Sequence, residues 1–429
     1  MSTTTETATT GSASAPAYPR RAWILLVAIT LLNSIGMTVV FPVLPFLTLR
    51  YVSDEASLAL WVGVLEGVYA LCAFLVAPLL GSLSDRIGRR PVIVIGAFGA
   101  AIGFALFGVG GGIWVLLIAR IIQGLTAGDM PALFAYLADI TPPEQRAKRY
   151  GLLGALAGIG MMVGPAIGGM LATISLEAPI FITAAIAATI AVVSLVALPE
   201  SLRAEHRTTS LDRTKLNPVR VVLDVVRRPA LRPLLLGLVL IAMPFGFFVA
   251  NISVVGHDAI GWGPAQIGLL LSAVGVLDIL VQGVLLGILL PRIGERGVVI
   301  AGIVTQLIGF AAIAVAASLL ASPWLLAGGA VVLAAGEGGM TAALTGLLSN
   351  SVDANEQGWL AGGVSSLNSA VQIVAPLLAG VLYAVIGHGA PYWLGLVMVA
   401  VAAAVFLRAK ISSPAKDATP ADAPVLSAG

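Results

Sequence analysis

Apolar runs of about twenty residues follow one another from Trp23 to Arg408, separated only by short polar stretches. A run of that length crosses a hydrocarbon core of roughly 30 Å. Within that core only a helix or a closed barrel satisfies its own backbone. Barrel strands alternate apolar with polar residues and these runs do not, so they are read as helices. Twelve are counted. Composition agrees at the point where it decides: 59% hydrophobic residues, 10% charged and a mean hydropathy of +1.02 leave too little polar surface to coat a soluble globule. The expected class is an all-α polytopic membrane protein.

Charge placement orients it. Of the 23 Lys and Arg residues, Arg50 alone falls in the odd-numbered loops and Arg120 alone inside a run; the tails and even-numbered loops hold the remainder. By the positive-inside rule both termini are cytoplasmic, and Asp54 and Asp353 are expected opposite Arg89. Residues 1–21 and 409–429 are small and polar and read as disordered cytoplasmic tails. The Arg-rich stretch 200–230, broken by Pro218 and Pro229, reads as a cytoplasmic linker between a first bundle at 22–199 and a second at 231–408. The first run is too long for the apolar core of a cleaved leader. With one cysteine, Cys72, no intramolecular disulfide is available.

The halves repeat each other. Gly81, Arg86, Ile87, Gly88 and Arg90 recur as Gly287, Arg292, Ile293, Gly294 and Arg296, all 206 residues later, and Pro165, Gly169 and Leu171 recur 211 residues later as Pro376, Gly380 and Leu382. Paired repeats of this kind are typical of secondary transporters, with the site near the midplane between them. The second copy is degenerate: Pro291 stands in place of Asp85, and Glu295 in place of Arg89.

Seven stretches carry a resemblance. "GSLSDRIGRR" (Gly81, Asp85, Arg86, Gly88, Arg89 and Arg90) resembles the signature loop of the major facilitator superfamily. "ARIIQGLTAG", with Arg120 and Gln123, resembles its fourth-helix motif. "GIGMMVGPAIGG" (Gly160, Gly164, Pro165, Gly168, Gly169) is similar to the fifth-helix motif of its drug/proton antiporters. "IGMTVVFPVLPFL", "AYLADITPPEQRAKRYG", "LPES" and "GWGPAQIGL" resemble the tetracycline/proton antiporters along most of 22–400. The resemblance implies twelve transmembrane helices as two six-helix pseudo-repeats around a central cavity, exporting amphipathic drugs, multidrug or tetracycline-like, against protons. The alternative is a facilitator moving a cellular metabolite. It also implies that the signature loop latches the halves when the cytoplasmic side is closed. There Gly88 permits a sharp turn, Asp85 faces the N-terminal end of a neighbouring helix, and the arginines bind inner-loop acids, with Glu144 and Glu200 as candidates. The family's acids in helices 1 and 3 correspond here to Asn33 and about Gly103, and its helix-8 histidine to Asp278.

Four acids sit inside runs: Glu66, Asp129, Asp278 and Glu337. Each is costly in a membrane and so is a candidate proton or cation carrier. Glu337, Thr341 and Thr345 recur at four-residue spacing on one face, and Asp278 does so with Gln282. Asp129 lies nine residues past Arg120, on the far side of an unbroken helix, which argues against a direct pair; Glu66, beside Tyr69, Ala70 and Ala73, reads either as a site for cationic substrates or as a neutral acid in tight packing. Phe245, Phe247, Phe248, Met161 and Met162 are candidates for an apolar drug pocket, although residues of this kind more often serve packing or face lipid. No glycine-rich phosphate loop is present, which speaks against an ATP-driven pump. His206, His257 and His388 read as loop residues without metal-ligand spacing, so no catalytic or metal set is assigned. The reading is therefore no enzyme, a proton gradient in place of a cofactor, no nucleic-acid partner, and a monomer in the lipid of the cell's inner membrane.

Overall fold

A computed structural model describes residues 20–52, 54–208, 218–229 and 231–408. The expected tails and part of the linker lie outside these residues, except that Arg20 and Arg21 already belong to the first helix. The described chain is helical, and eleven of its helical runs are long and apolar enough to cross a membrane. The longest, Pro264–Leu320, is two spans: at Gly294 the backbone leaves the helix with φ 68°. Its repeat counterpart Gly88 does the same at φ 113°. Both turns need a residue without a Cβ. Twelve spans result.

Spans 1 to 3 are Arg20–Val39, Glu55–Ile87 and Arg89–Val109. Span 4 comes in two pieces, Ile113–Thr126 and Asp129–Ile140, and spans 5 and 6 are Pro143–Leu171 and Ala178–Val196. In the second half, span 7 is Arg232–Asp258, spans 8 and 9 divide Pro264–Leu320, and spans 10 to 12 are Pro323–Ser349, Gln357–Val385 and Ala390–Arg408. Proline opens many of them, at the first turn where its missing N–H costs nothing. Asp54 caps span 2 by accepting from the Ser57 N–H at 2.7 Å. The expected polar linker also holds a short helix, Pro218–Val226, whose Val225 is buried against Gly363 of span 11. His257 lies in the last turn of span 7 and not in a loop. Asp353 also departs from expectation. Ten crossings return the chain to the arginine-rich end, where neighbouring Glu356 binds Arg228 at 2.6 Å.

The halves meet along two seams related by the repeat. On one, Gly268 of span 8 packs on the Pro165 carbonyl of span 5, and Gly169 packs on Pro264. On the other, Gly63 of span 2 packs on the Pro376 carbonyl of span 11, and Gly380 packs on Ala59 and Leu60. A side chain at any of these glycines would meet backbone. All of these contacts lie toward the arginine-poor end. Toward the arginine-rich end the same four spans diverge: Gly81, Gly151, Gly154, Gly283, Gly287, Gly358 and Gly362 all face open space. The molecule is closed at one end and parted at the other.

Candidate functional site

The break in span 4 builds the first-half centre. Helical geometry ends at Thr126, and Ala127 and Gly128 run non-helically into Asp129. Three glycines of span 3 make room for this polar face: Gly96 lies against Asp129, Gly99 against Thr126, and Gly103 against Gln123. Asp129 accepts from Asn33 Nδ2 of span 1 at 2.6 Å. Arg120 instead donates to Glu66 of span 2 at 2.7 Å, and to Gln123 Oε1 at 3.2 Å. Its guanidinium also lies over the rings of Tyr69 and Phe107, at 5.7 and 5.4 Å from the centroids. The expected separation of Arg120 from Asp129 holds. Of the two readings of Glu66, the neutral packed acid gives way: it is the counter-ion of a buried arginine.

The second-half centre joins spans 8, 9 and 10. Glu337 accepts from Thr341 Oγ1 at 2.9 Å and from Gln306 Nε2 of span 9. Asp278 accepts from Gln282 Nε2 at 2.8 Å and lies against Gly338, next to Glu337 in the chain. Gln282 itself is exposed. A π-helical turn, Val281–Leu285, follows Asp278 directly; such bulges gather at functional sites. Asp129, Asp278 and Glu337 form no ion pair among the described residues, and Arg120 is already paired. Sequence reasoning missed Gln306, since a lone glutamine in an apolar run has no periodic partner. Phe247 and Phe248 are buried core residues, and Met162 packs on Gly275 of span 8, which is the packing reading of these residues and not the pocket one.

At the arginine-rich end, Arg89 donates to Asp85, to Asp139 at 3.2 Å and to Ser84 at 3.2 Å. Arg90 caps the end of span 6 through the carbonyls of Ser194, at 3.0 Å, and Leu195. Of the two acids expected, Glu200 binds these arginines, through their backbone, and Glu144 does not. Glu200 accepts from the backbone N–H of Arg89 at 2.8 Å and of Arg90 at 3.2 Å, so it, and not Asp85, occupies the positive end of a helix. Asp139, inside the quoted "AYLADITPPEQ", takes the side-chain role, while Glu144 is exposed and outside the network. Arg86 is exposed beside them. Every bond found for this cluster stays within the first half and its linker. Beside it a cleft of about 240 Å³ between spans 2 and 4 is lined by Gly81, Ser84, Asp85 and Pro131. In the repeat the polarity is exchanged: Glu295 accepts from Asn350, the counterpart of Asp139, at 3.2 Å.

The fifth-span motif has two faces. Gly160, Gly164 and Gly168 receive span 1; a Cβ at Gly160 would stand 2.9 Å from the Leu31 carbonyl, and one at Gly164 2.8 Å from that of Ile35. Pro165 and Gly169 face span 8. There the Ala166 N–H donates to Ser272 Oγ at 2.9 Å, a bond across the two halves.

This arrangement matches known proteins along nearly its whole length. The family model for the Major Facilitator Superfamily matches residues 26–276 and 234–427. The chain belongs to the major facilitator superfamily. It is 35% identical over 387 residues to the class C tetracycline resistance protein of Escherichia coli, covering 90% of this chain and 94% of that one. It is 28% identical to multidrug resistance protein 2 of Bacillus subtilis, covering 88% and 92%. Among solved structures, the human organic anion transporter MFSD10 aligns with TM-score 0.66 at 22% identity, covering 91% of this chain and 100% of that one. The nucleoside transporter NupG aligns at 0.70 and 14%, covering 90% and 96%. Within the superfamily the chain therefore sides with the resistance transporters, and it is a multi-pass membrane protein.

Proposed function

We propose that this protein exports small amphipathic drugs, tetracycline-like or multidrug, in exchange for protons, as a monomer in the cytoplasmic membrane. Both termini and the arginine-rich end then lie in the cytoplasm, and the form described is open to that side. The resistance proteins it resembles support the substrate class. The observation that carries the mechanism is the set of carboxyls without basic partners, Asp129, Asp278 and Glu337, at membrane depth in halves whose tightest mutual contacts gather toward one end. A carboxyl there is stable neutral or beside a cation, so taking up a proton and holding a cationic drug compete for one charge. Drug enters from the parted end, the bundles at 22–199 and 231–408 rock about the site, and protons from outside displace it. The Asp85–Arg89 cluster serves the closure of the cytoplasmic end, and the Pro165 and Gly169 seam that of the outer end. No cofactor and no catalytic residue is required, since the proton gradient supplies the driving force.

The test is drug-dependent proton movement in vesicles, together with drug susceptibility across chemical classes in a pump-deficient host with and without expression. Raised resistance with drug-dependent proton flux is expected; an expressed protein giving neither would sink the reading.

A further inference from the structure

The second-half centre holds one buried polar atom with nothing to bind. Gln306 is fully buried, and its Nε2 donates to Glu337 Oε2, yet its Oε1 has no partner. Unsatisfied buried acceptors are costly and call for a reason. Water is an unpromising one, because Gln306 stands on the tightest contact between spans 9 and 10. Gly302 and Gly309, four residues before it and three after, each leave a missing Cβ 2.9 or 2.8 Å from a carbonyl of span 10. What faces this amide is the Glu337 carboxyl. As drawn, that carboxyl only accepts, from Gln306 and Thr341, which is the pattern of a charged carboxylate. Once protonated it must donate. An amide turned over about its last bond presents oxygen where nitrogen stood, at no change in volume, and the unpartnered Oε1 then receives the proton.

We propose that Gln306 is a positioning residue that follows the protonation of Glu337, with nitrogen toward the carboxylate and oxygen toward the acid, so that Oε2 of Glu337 keeps a partner in both forms. The proton is carried on Oε2. Thr341 serves the other oxygen, and its hydroxyl donates or accepts by simple rotation, but that alone leaves the acid O–H on Oε2 facing the N–H of Gln306, donor against donor, until the amide turns. The one titratable group facing Glu337 from span 8 is Asp278; span 9 brings Gln306 and Thr305, and spans 7 and 11 bring no titratable side chain at this depth among the described residues. This inference rests on the reading of Glu337 as a proton site, and the test separates the two.

The experiment uses the full-length protein in liposomes. The infrared C=O stretch of the protonated acid is assigned by its loss in Glu337→Gln, and proton-coupled export of a tetracycline or a lipophilic cation is followed against pH. In Gln306→Met, nearly isosteric, and in Gln306→Leu, the assigned band should shift as its acceptor disappears. The pH midpoint of export should rise by about one unit, a tenfold change in proton concentration, because the charged form loses the stronger of the two bonds. Thr341→Val removes the bond to Oε1, the C=O oxygen of that acid, so it should move the band by itself and serves as the reference for a bond lost on the other oxygen. A folded Gln306→Met with an unshifted band and unshifted midpoint overturns the proposal and leaves the transport reading standing. Absence of any Glu337 acid band at all tested pH values also overturns it, since the amide would then never meet an acid. A shifted band in Gln306→Met together with intact uphill export in Glu337→Gln upholds the pairing and removes Glu337 from coupling.

Discussion

Arg120 and Glu66 have side chains only 7% and 19% exposed, so each is compensated chiefly by the other. Removing one partner of such a buried pair typically costs about 3–5 kcal/mol, whereas replacing both is close to neutral. Glu66→Gln should therefore lower the thermal unfolding temperature in detergent, and adding Arg120→Gln should restore most of it. Equal unfolding temperatures for Glu66→Gln and wild type would remove the pairing from the stability account. Glu337 and Asp278 are a different case, since no cation holds them. Glu337→Gln and Asp278→Asn should fold, keep binding of uncharged substrates and lose proton-driven export in vesicles, with the larger loss for positively charged substrates. Full coupling in both variants would move the proton site to the first half. Outside the membrane, the hydrogen bond from Arg50 holds the Glu177 carboxyl below the usual glutamate range. A lowered folded-state pKa stabilises the fold above the ordinary glutamate value, about 4.3, and the gain is lost as pH falls through the lower one. With Arg50 43% exposed, the effect is that of a surface pair, under about 1 kcal/mol. Acid titration of Arg50→Gln against wild type, followed by unfolding temperature, should show the two converge below about pH 4.

At the scale of elements, the seams and the signature loop make opposite demands. Gly268 meets the Pro165 carbonyl now, so Gly268→Leu should hold spans 5 and 8 apart, abolish transport, and raise labelling of Gln282→Cys (in a Cys72→Ser background) by an impermeant reagent from the arginine-poor face. Gly154 lies in open space, and Gly154→Leu should leave that labelling at the wild-type level; a rise equal to that of Gly268→Leu would refute the seam. The loop is tested by Asp85→Asn. Arg89 keeps Asp139 and Ser84 as partners, so the protein should remain folded in the membrane while transport falls at least several-fold. Pro291→Ala, at the degenerate position, should be mild. Wild-type export by Asp85→Asn would leave the loop with topology as its only role.

For the whole molecule, reporter fusions should place Arg89, Glu356 and both termini on one side and Asp54 on the other; Asp54 with Arg89 would overturn the topology. Much of this was legible in the sequence. Apolar length fixes a span, Arg and Lys bias fixes its direction, and a repeat offset of 206 to 211 residues marks the duplication, because each depends on the solvent a segment meets and not on its neighbours. The four embedded acids were visible for the same reason, being costly wherever they sit in lipid. Partnership was another matter. Glu66 with Arg120, Asp129 with Asn33 and Glu337 with Gln306 join residues 54, 96 and 31 positions apart, and no helical spacing links different helices. The break at Ala127 and Gly128 was equally hidden, since it depends on the glycines of span 3 that admit Asp129. Which end stands parted is likewise absent from the sequence: the same glycines allow either closure, and only the packed helices place Gly268 on a carbonyl and leave Gly154 in open space.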